Sequence, residues 1–362
     1  MKAFLPKTIA ALMIIGVTSF WEGAGAWAQT SSNAGIVRPE YADQSTTTGC
    51  SSQGCDSACS QQERATFGDW LWPSNYGCPY WSVTAEATAM QRSAPRNQPL
   101  FRQTLSQTDQ LNAKDLNFPV SMGFQLSAIR HNVGGSGWDL EVAYAQMDGF
   151  ETDSDIAEAS RMILDRNNAS WTVRDAEARY SSALYNGEIN AHYQEDWLTF
   201  LVGFRMGQLS EHYSGLGSDI STELIDSVRT DTHNHFYGIQ IGALGEVYND
   251  GGPLTINAFC KAGAYDNVAQ QHYQLASGGD VYDLRMGHRD QAMFLGEVGV
   301  KATYSVTKRL AVHASAEAMW LSGVALAPDQ IRAVDLVNDT TSIDTFGTAF
   351  YYGGGLGIEY RF

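Results

Sequence analysis

The sequence predicts an all-β protein: a transmembrane, antiparallel, up-and-down β-barrel of about 10–12 strands. Three observations carry this. The closing segment Gly355-Leu356-Gly357-Ile358-Glu359-Tyr360-Arg361-Phe362 alternates strictly, with Leu356, Ile358, Tyr360 and Phe362 on one face and Gly357, Glu359 and Arg361 on the other. Segments of the same period recur from Tyr80 to the end. Beyond the N-terminal segment no run of about 20 apolar residues exists, so strands and not helices would have to cross a membrane.

The first 28 residues read as a secretory signal peptide. Lys2 and Lys7 form its basic region, Thr8 to Phe20 its apolar core, and Ala26-Trp27-Ala28 its cleavage site. Residues 29–79 form a Ser-, Thr-, Gly- and Gln-rich extension with little apolar periodicity. Cys50, Cys55, Cys59 and Cys78 lie in it. An exported chain meets an oxidising compartment, so two disulfides among these four are expected, and the three pairings stay open. Zinc fits the spacing poorly, because the paired C-x2-C pattern is missing. Cys260 sits in a strand pattern as a small apolar filler.

Residues 80–362 are expected to form the barrel. Tyr80 to Arg92 places Trp81, Val83, Ala85, Ala87 and Ala89 opposite Glu86. Phe118 to Arg130 and the strand beginning at Trp138 form a hairpin turned by Gly134 to Gly137. Glu151 to Arg166 carries Ile156, Ala157, Ser160, Met162 and Ile163 at helix-like spacing, which suggests a long surface loop with a short helix. Trp171 to Tyr180 is ambiguous, and Tyr185 to Tyr193 recovers the alternation. Asp196 to Gln208 is the clearest strand, opposing Leu198, Phe200, Val202, Phe204 and Met206 to Thr199, Gly203, Arg205 and Gly207. His235 to Tyr248, Leu254 to Asn267, Ala292 to Tyr304, Leu310 to Trp320 and Thr348 to Phe362 complete a set of ten, and Trp171 to Tyr180 would help to make twelve. Short links such as Glu195-Asp196, Asn249 to Pro253 and Thr307-Lys308 alternate with long ones, Leu209 to Asn234 and Ser322 to Phe346. That asymmetry is the one expected of periplasmic turns and outer loops.

Charge opposite the apolar faces defines the candidate lumen. Glu86, Asp139, Glu141, Glu188, Arg205, Glu246, Lys261, Glu297, Lys301, Glu317, Glu359 and Arg361 fall there. Such residues either neutralise one another in a filled interior or line a pore, and a barrel of this strand number leaves a narrow lumen at best. The net charge of −17 excludes a nucleic-acid partner, which needs a basic footprint. A G-x-S-x-G elbow, a P-loop and an H-E-x-x-H motif are all missing, so no catalytic residue, metal or cofactor is assigned and no enzyme is expected. His233 and His235 would share a strand face as a metal pair or, more simply, mark a solvated strand entrance. His192 and His313 can pair with lumen carboxylates.

Several segments, in this order, carry a resemblance: Asn97-Gln98-Pro99-Leu100, Glu188-Ile189-Asn190, Gly203-Phe204-Arg205 followed by Glu211, Asn234-His235-Phe236-Tyr237-Gly238, the run Gly323 to Gln330, and the final eight residues. Over about residues 80–362 the chain resembles the β-barrel porin family common in planctomycete genomes. The resemblance implies an outer-membrane barrel with porin activity and supplies no catalytic residues. The expected function is therefore a narrow passive channel for small solutes or ions in the outer membrane of a Gram-negative-type bacterium. The alternative is a non-conducting structural or adhesive surface barrel that works through its acidic loops. Expected partners are outer-membrane lipid, small solutes or ions, and the barrel-assembly machinery, reached through the strand ending at Phe362.

Overall fold

A computed structural model describes residues 80–106 and 108–362. The signal peptide, the extension to residue 79 and the four clustered cysteines lie outside the described residues. Among the described residues there are fifteen strands: β1 (Trp81–Arg92), β2 (Pro99–Gln103), β3 (Asp109–Asn112), β4 (Ser121–Arg130), β5 (Trp138–Ile156), β6 (Ser160–Ile163), β7 (Ser170–Glu195), β8 (Leu198–Asp219), β9 (Ile225–Asn249), β10 (Leu254–Ser277), β11 (Asp280–Ser305), β12 (Leu310–Val324), β13 (Val334–Asp335), β14 (Thr340–Thr341) and β15 (Gly347–Arg361). Ten of them close a ring in the order β7-β5-β4-β1-β15-β12-β11-β10-β9-β8, with β8 returning to β7. Every pairing is antiparallel, and β6, β2 and β3 continue the sheet from the upper part of β7. The seam closes where Tyr80 and Trp81 donate to the Phe362 carbonyl at 3.0 and 3.1 Å.

The outward face obeys the alternation read from the sequence. Met206, Tyr237, Ile239, Phe294, Phe350 and Leu356 stand exposed on the outer wall, Ile239 and Leu356 by 70% and 71%. Tyr304 and Phe294, or Tyr360 and Phe350, lie ten residues apart on one strand face. At ~3.3 Å per residue and a tilt of ~40° this spaces two aromatic girdles by about 25 Å, the height of a lipid-facing band. The barrel is thus a transmembrane one.

The strands run far beyond that band. β7 and β11 have 26 residues each, about 85 Å of extended chain. The expected loop from Leu209 to Asn234 is accordingly not a loop: β8 continues to Asp219, a tight turn follows, and β9 resumes at Ile225. Glu151 to Arg166 is likewise no helix-bearing loop, since β5 runs to Ile156 and β6 occupies Ser160–Ile163. Trp171 to Tyr180 and Tyr185 to Tyr193 belong to the one strand β7. Phe118 precedes β4 and packs inside the barrel, 4.8 Å from the Tyr180 ring.

The reason is a reversal of phase. Within the band the outward positions of β8 are Phe200, Val202, Phe204 and Met206; above it the apolar positions are Leu209 and Tyr213, which point inward and are fully buried. Outside lipid the outer wall meets water, so the apolar face turns to the interior. The hydrophobic core therefore sits inside the upper barrel: Met90, Leu100, Phe101, Phe150, Leu184, Phe236, Tyr273 and Leu321 are all at most 1% exposed.

Glycines set the clearance of the seam. A Cβ on Gly355 would overlap the Glu86 carboxylate, and one on Gly357 would come within 2.5 Å of His313 Nε2. Gly355→Val is therefore expected to displace Glu86 from the wall and to lower the unfolding free energy of the reconstituted barrel, read from denaturant titration, by ~2 kcal/mol. Gly134→Ala, at a positive-φ turn position with open space around it, should cost less than half of that.

Candidate functional site

The residues expected to line the lumen do face it, and at mid-membrane they are joined to one another. Arg205 of β8 reaches Glu188 of β7 and, at 2.7 Å, Glu297 of β11. Lys261 of β10 lies 3.3 Å from Glu188 and 3.1 Å from Glu297. Arg205 to Glu297 and Lys261 to Glu188 each span three strands of the ring, so these pairs cross the bore. Gln240 donates to Glu188 and to Asn190 at 2.7 Å, and Tyr265 donates to Gln240 at 3.2 Å. Asn190 also donates to Glu141 at 2.9 Å, and His192 Nε2 lies 3.1 Å from the same carboxylate.

A second cluster lies across the bore, under the seam. Glu86 of β1 is bonded by His313 Nε2 at 2.7 Å and by the Ser315 hydroxyl, with Lys301 3.8 Å away. Glu317 accepts from Gln125 at 2.7 Å, a contact from β12 to β4 over the seam. Burial of these charges costs little only because each carboxylate meets a donor or a cation. Most of the tier is buried: Arg205 and Asn190 are 0% exposed, Gln240 1%, Glu86 5%, Glu188 and Glu297 7%, and Glu317 8%, while Lys261 keeps 20% of its side chain exposed.

Three expected lining residues lie instead near the short-turn end, where the bore is wet. Asp139 pairs with His131 at 2.8 Å, Glu359 with Arg361 at 2.6 Å, and exposed Glu246 accepts from Asn249 at 2.9 Å. Lys301, 35% exposed, bounds the buried tier from the solvent side.

Above the ion network a third layer was not anticipated. Arg92 is fully buried, donates to Tyr180 at 3.0 Å and pairs with Glu211. Its guanidinium also lies 4.9 Å from the centre of the Phe118 ring. Tyr180 donates to Glu211 at 2.7 Å. The signal for Glu211 is its odd position on β8, the inward parity shared with Arg205.

The long connection from β12 to β15 does not hang outside. Residues 325–335 enter the upper mouth, with Ala325, Leu326, Ala327, Ile331 and Val334 buried. Asn234 clasps Ala325 by both its oxygen (2.7 Å) and its nitrogen (2.8 Å). Ala327 N donates to Glu211 at 2.9 Å, and Gln98 donates to the Pro328 carbonyl at 2.7 Å. Asp335, 1% exposed, collects Asn167 at 2.7 Å, Asn338 and Arg166, and these donors hold its carboxyl well below the usual carboxylate range. The plug's least satisfied group is Asp329. It is fully buried and neither oxygen accepts an aligned hydrogen bond, with only half-exposed Arg96 3.0 Å away.

His233 and His235 both point outward and stack at 6.4 Å. Among the described residues no group of His, Cys, Asp and Glu has metal-binding geometry. Cys260 is a free thiol.

No protein-family model matches the chain, and no curated protein matches it, so the porin family stays a resemblance of motifs. Among solved structures, the outer-membrane protease OmpT from Escherichia coli is 12% identical, with 80% of this chain and 99% of that one covered and a TM-score of 0.41. The translocator domain of the autotransporter NalP from Neisseria meningitidis is 11% identical over 80% and 90% of the two chains, with a TM-score of 0.37. The toluene transporter TodX from Pseudomonas putida is 10% identical over 80% and 90%, with a TM-score of 0.32. Likenesses this distant say nothing of chemistry, and the barrel assignment rests on the pairings and the apolar band described above.

Two consequences are measurable. Arg205→Met leaves Glu188 and Glu297 sharing Lys261 alone, and should cost about 3–5 kcal/mol in equilibrium unfolding. Adding Glu297→Gln should restore part of this loss. Burial, against a smaller opposing effect of Arg96, pushes the Asp329 carboxyl up to about 6. Its neutral form is then the one the fold favours. That stability is complete below the ordinary aspartate value of 3.8 and is lost as pH rises through about 6. Limited proteolysis within residues 325–346 should accelerate between pH 4 and pH 7.5 in the wild type, and Asp329→Asn should flatten the profile.

Proposed function

We propose that this protein is a non-conducting outer-membrane barrel whose working part is the half that rises beyond the membrane. The observation that carries this reading is the burial of the inward charges at mid-membrane, with Arg205 and Asn190 wholly inaccessible and Glu86, Glu188, Glu297 and Glu317 nearly so. A water-filled pore leaves its lining side chains wet, whereas here ion pairs cross the bore, an apolar core lies above them, and the plug lies above both. The reading takes the second of the two functions considered from sequence, a structural or adhesive surface barrel, over a passive channel for small solutes or ions. It includes export through the N-terminal signal, assembly through the strand ending at Phe362, and no catalytic role.

The test is single-channel recording of the refolded mature chain in a planar bilayer. Heat-modifiable, folded protein should give no conductance steps. Steps in the wild type whose ion selectivity changes in Arg205→Glu would overturn the proposal and establish the channel.

A further inference from the structure

We infer that the outer wall of β8–β11, directly beyond the apolar band, is an acid-switched binding surface for anionic, phosphate-bearing lipid headgroups. Five of the chain's eight histidines stand on it. The cross-strand register arranges them in three successive outward rows. The lowest is Gln208, His235, Val268 and Asp290; the next is Ser210, His233, Gln270 and His288; the third is His212, Asp231, His272 and Met286. His233, His235 and His288 are exposed, and His212 and His272 are each 35% exposed. The residues between them on β9, Thr232 and Asn234, are fully buried, so the imidazoles cannot face the core.

Position selects the partner. One row below His235 lie Met206, Tyr237 and Asp266, where the Tyr237 hydroxyl donates to Asp266 at 2.9 Å and the apolar band ends. A headgroup layer is about 6 Å deep on each side of the ~30 Å hydrocarbon. One strand pleat of two residues rises about 5 Å at a tilt of ~40°. The row of His235 therefore lies inside the headgroup layer, and the next two rows stand about 4 and about 9 Å beyond its edge, within a Debye length of ~10 Å.

Charge selects the condition. The groups facing these imidazoles are Asp231, Asp266 and Asp290, with Arg229 in the row above. Asp231 is shared by His212 (2.5 Å), His272 (3.4 Å) and Arg229 (3.1 Å), and Asp290 lies 3.3 Å from His288. Ser210 meets His233 Nδ1 at 3.1 Å. On the adjoining strands Arg179 is bonded to its own neighbour Glu177, and Glu151 of β5 faces Ser181 across the sheet from His212. With neutral imidazoles the three aspartates outweigh Arg229 and the wall repels anions. Histidine is the side chain whose unperturbed charge change falls between pH 5 and 8, and imidazolium charges on this wall oppose those of the three aspartates. Each cation near a phosphate surface adds to its attraction.

The test uses the full barrel reconstituted in phosphatidylcholine vesicles doped with spin-labelled phosphatidylglycerol. The relative association constant of the anionic lipid should rise about threefold or more from pH 8 to pH 5. In folded His233→Gln/His235→Gln/His288→Gln protein the rise should fall to less than half. Arg229→Gln should lower association at both pH values and keep the rise. A wild type with no rise, or a triple variant that keeps it, would overturn the inference.

Discussion

Everything inside this barrel depends on one guanidinium. Arg205 points into a bore that ten strands make narrow, at a depth where lipid surrounds the wall. It cannot shed its proton, and it has no water to turn to. Glu188 and Glu297 are therefore required, and their two charges in turn require Lys261. Asn190 and Gln240 donate to Glu188 and Tyr265 donates to Gln240, while Arg205 Nε and Nη1 are buried with no hydrogen-bond partner. The members of the network span the bore in pairs. In the proposed reading, closure of the lumen follows from satisfying buried charge.

The upper barrel solves a different problem. Once the strands leave lipid, the outer wall must be polar and the interior apolar, as in a soluble protein. Leu209, Tyr213, Phe236 and Tyr273 form that interior, and the segment after Val324 completes it by bringing Leu326, Ile331 and Val334 down from above. Two polar clasps fix this segment at depth, Asn234 on Ala325 and Glu211 on Ala327 N. Glu211 is also the partner of Arg92, so the plug is tied to the charge layer beneath it.

Much of this was legible in the sequence. The membrane-level strands and their faces followed from alternation, because lipid outside and polar groups inside impose opposite demands on adjacent residues. Glu86, Glu188, Arg205, Lys261, Glu297 and Glu317 were found by that rule, and the short turns were found where they stand. The halves beyond the apolar band were not found. From Gln208 to Ser210 the alternation changes phase without a turn residue, and a pattern that changes phase reads as a pattern that stops. The same holds for β5, where Gly149 at φ 75° and a register shift after Met147 break the period while the strand continues to Ile156. Which charges meet was also beyond the sequence, since Arg205 and Glu297 are neighbours only through ring closure.

The seam between β1 and β15 has a kinetic side. Its pairing of Trp81 with Phe362 joins the two most distant described parts of the chain, so its ladder must wait for the other nine pairings to bring the edges together. Glu86 stands on one edge of that seam, while His313 and Ser315 stand on β12, beyond the other. Until the edges meet, Glu86 has neither partner. Pairing of β1 with β15 thus delivers both the ladder that closes the ring and the passage of a carboxylate out of solvent.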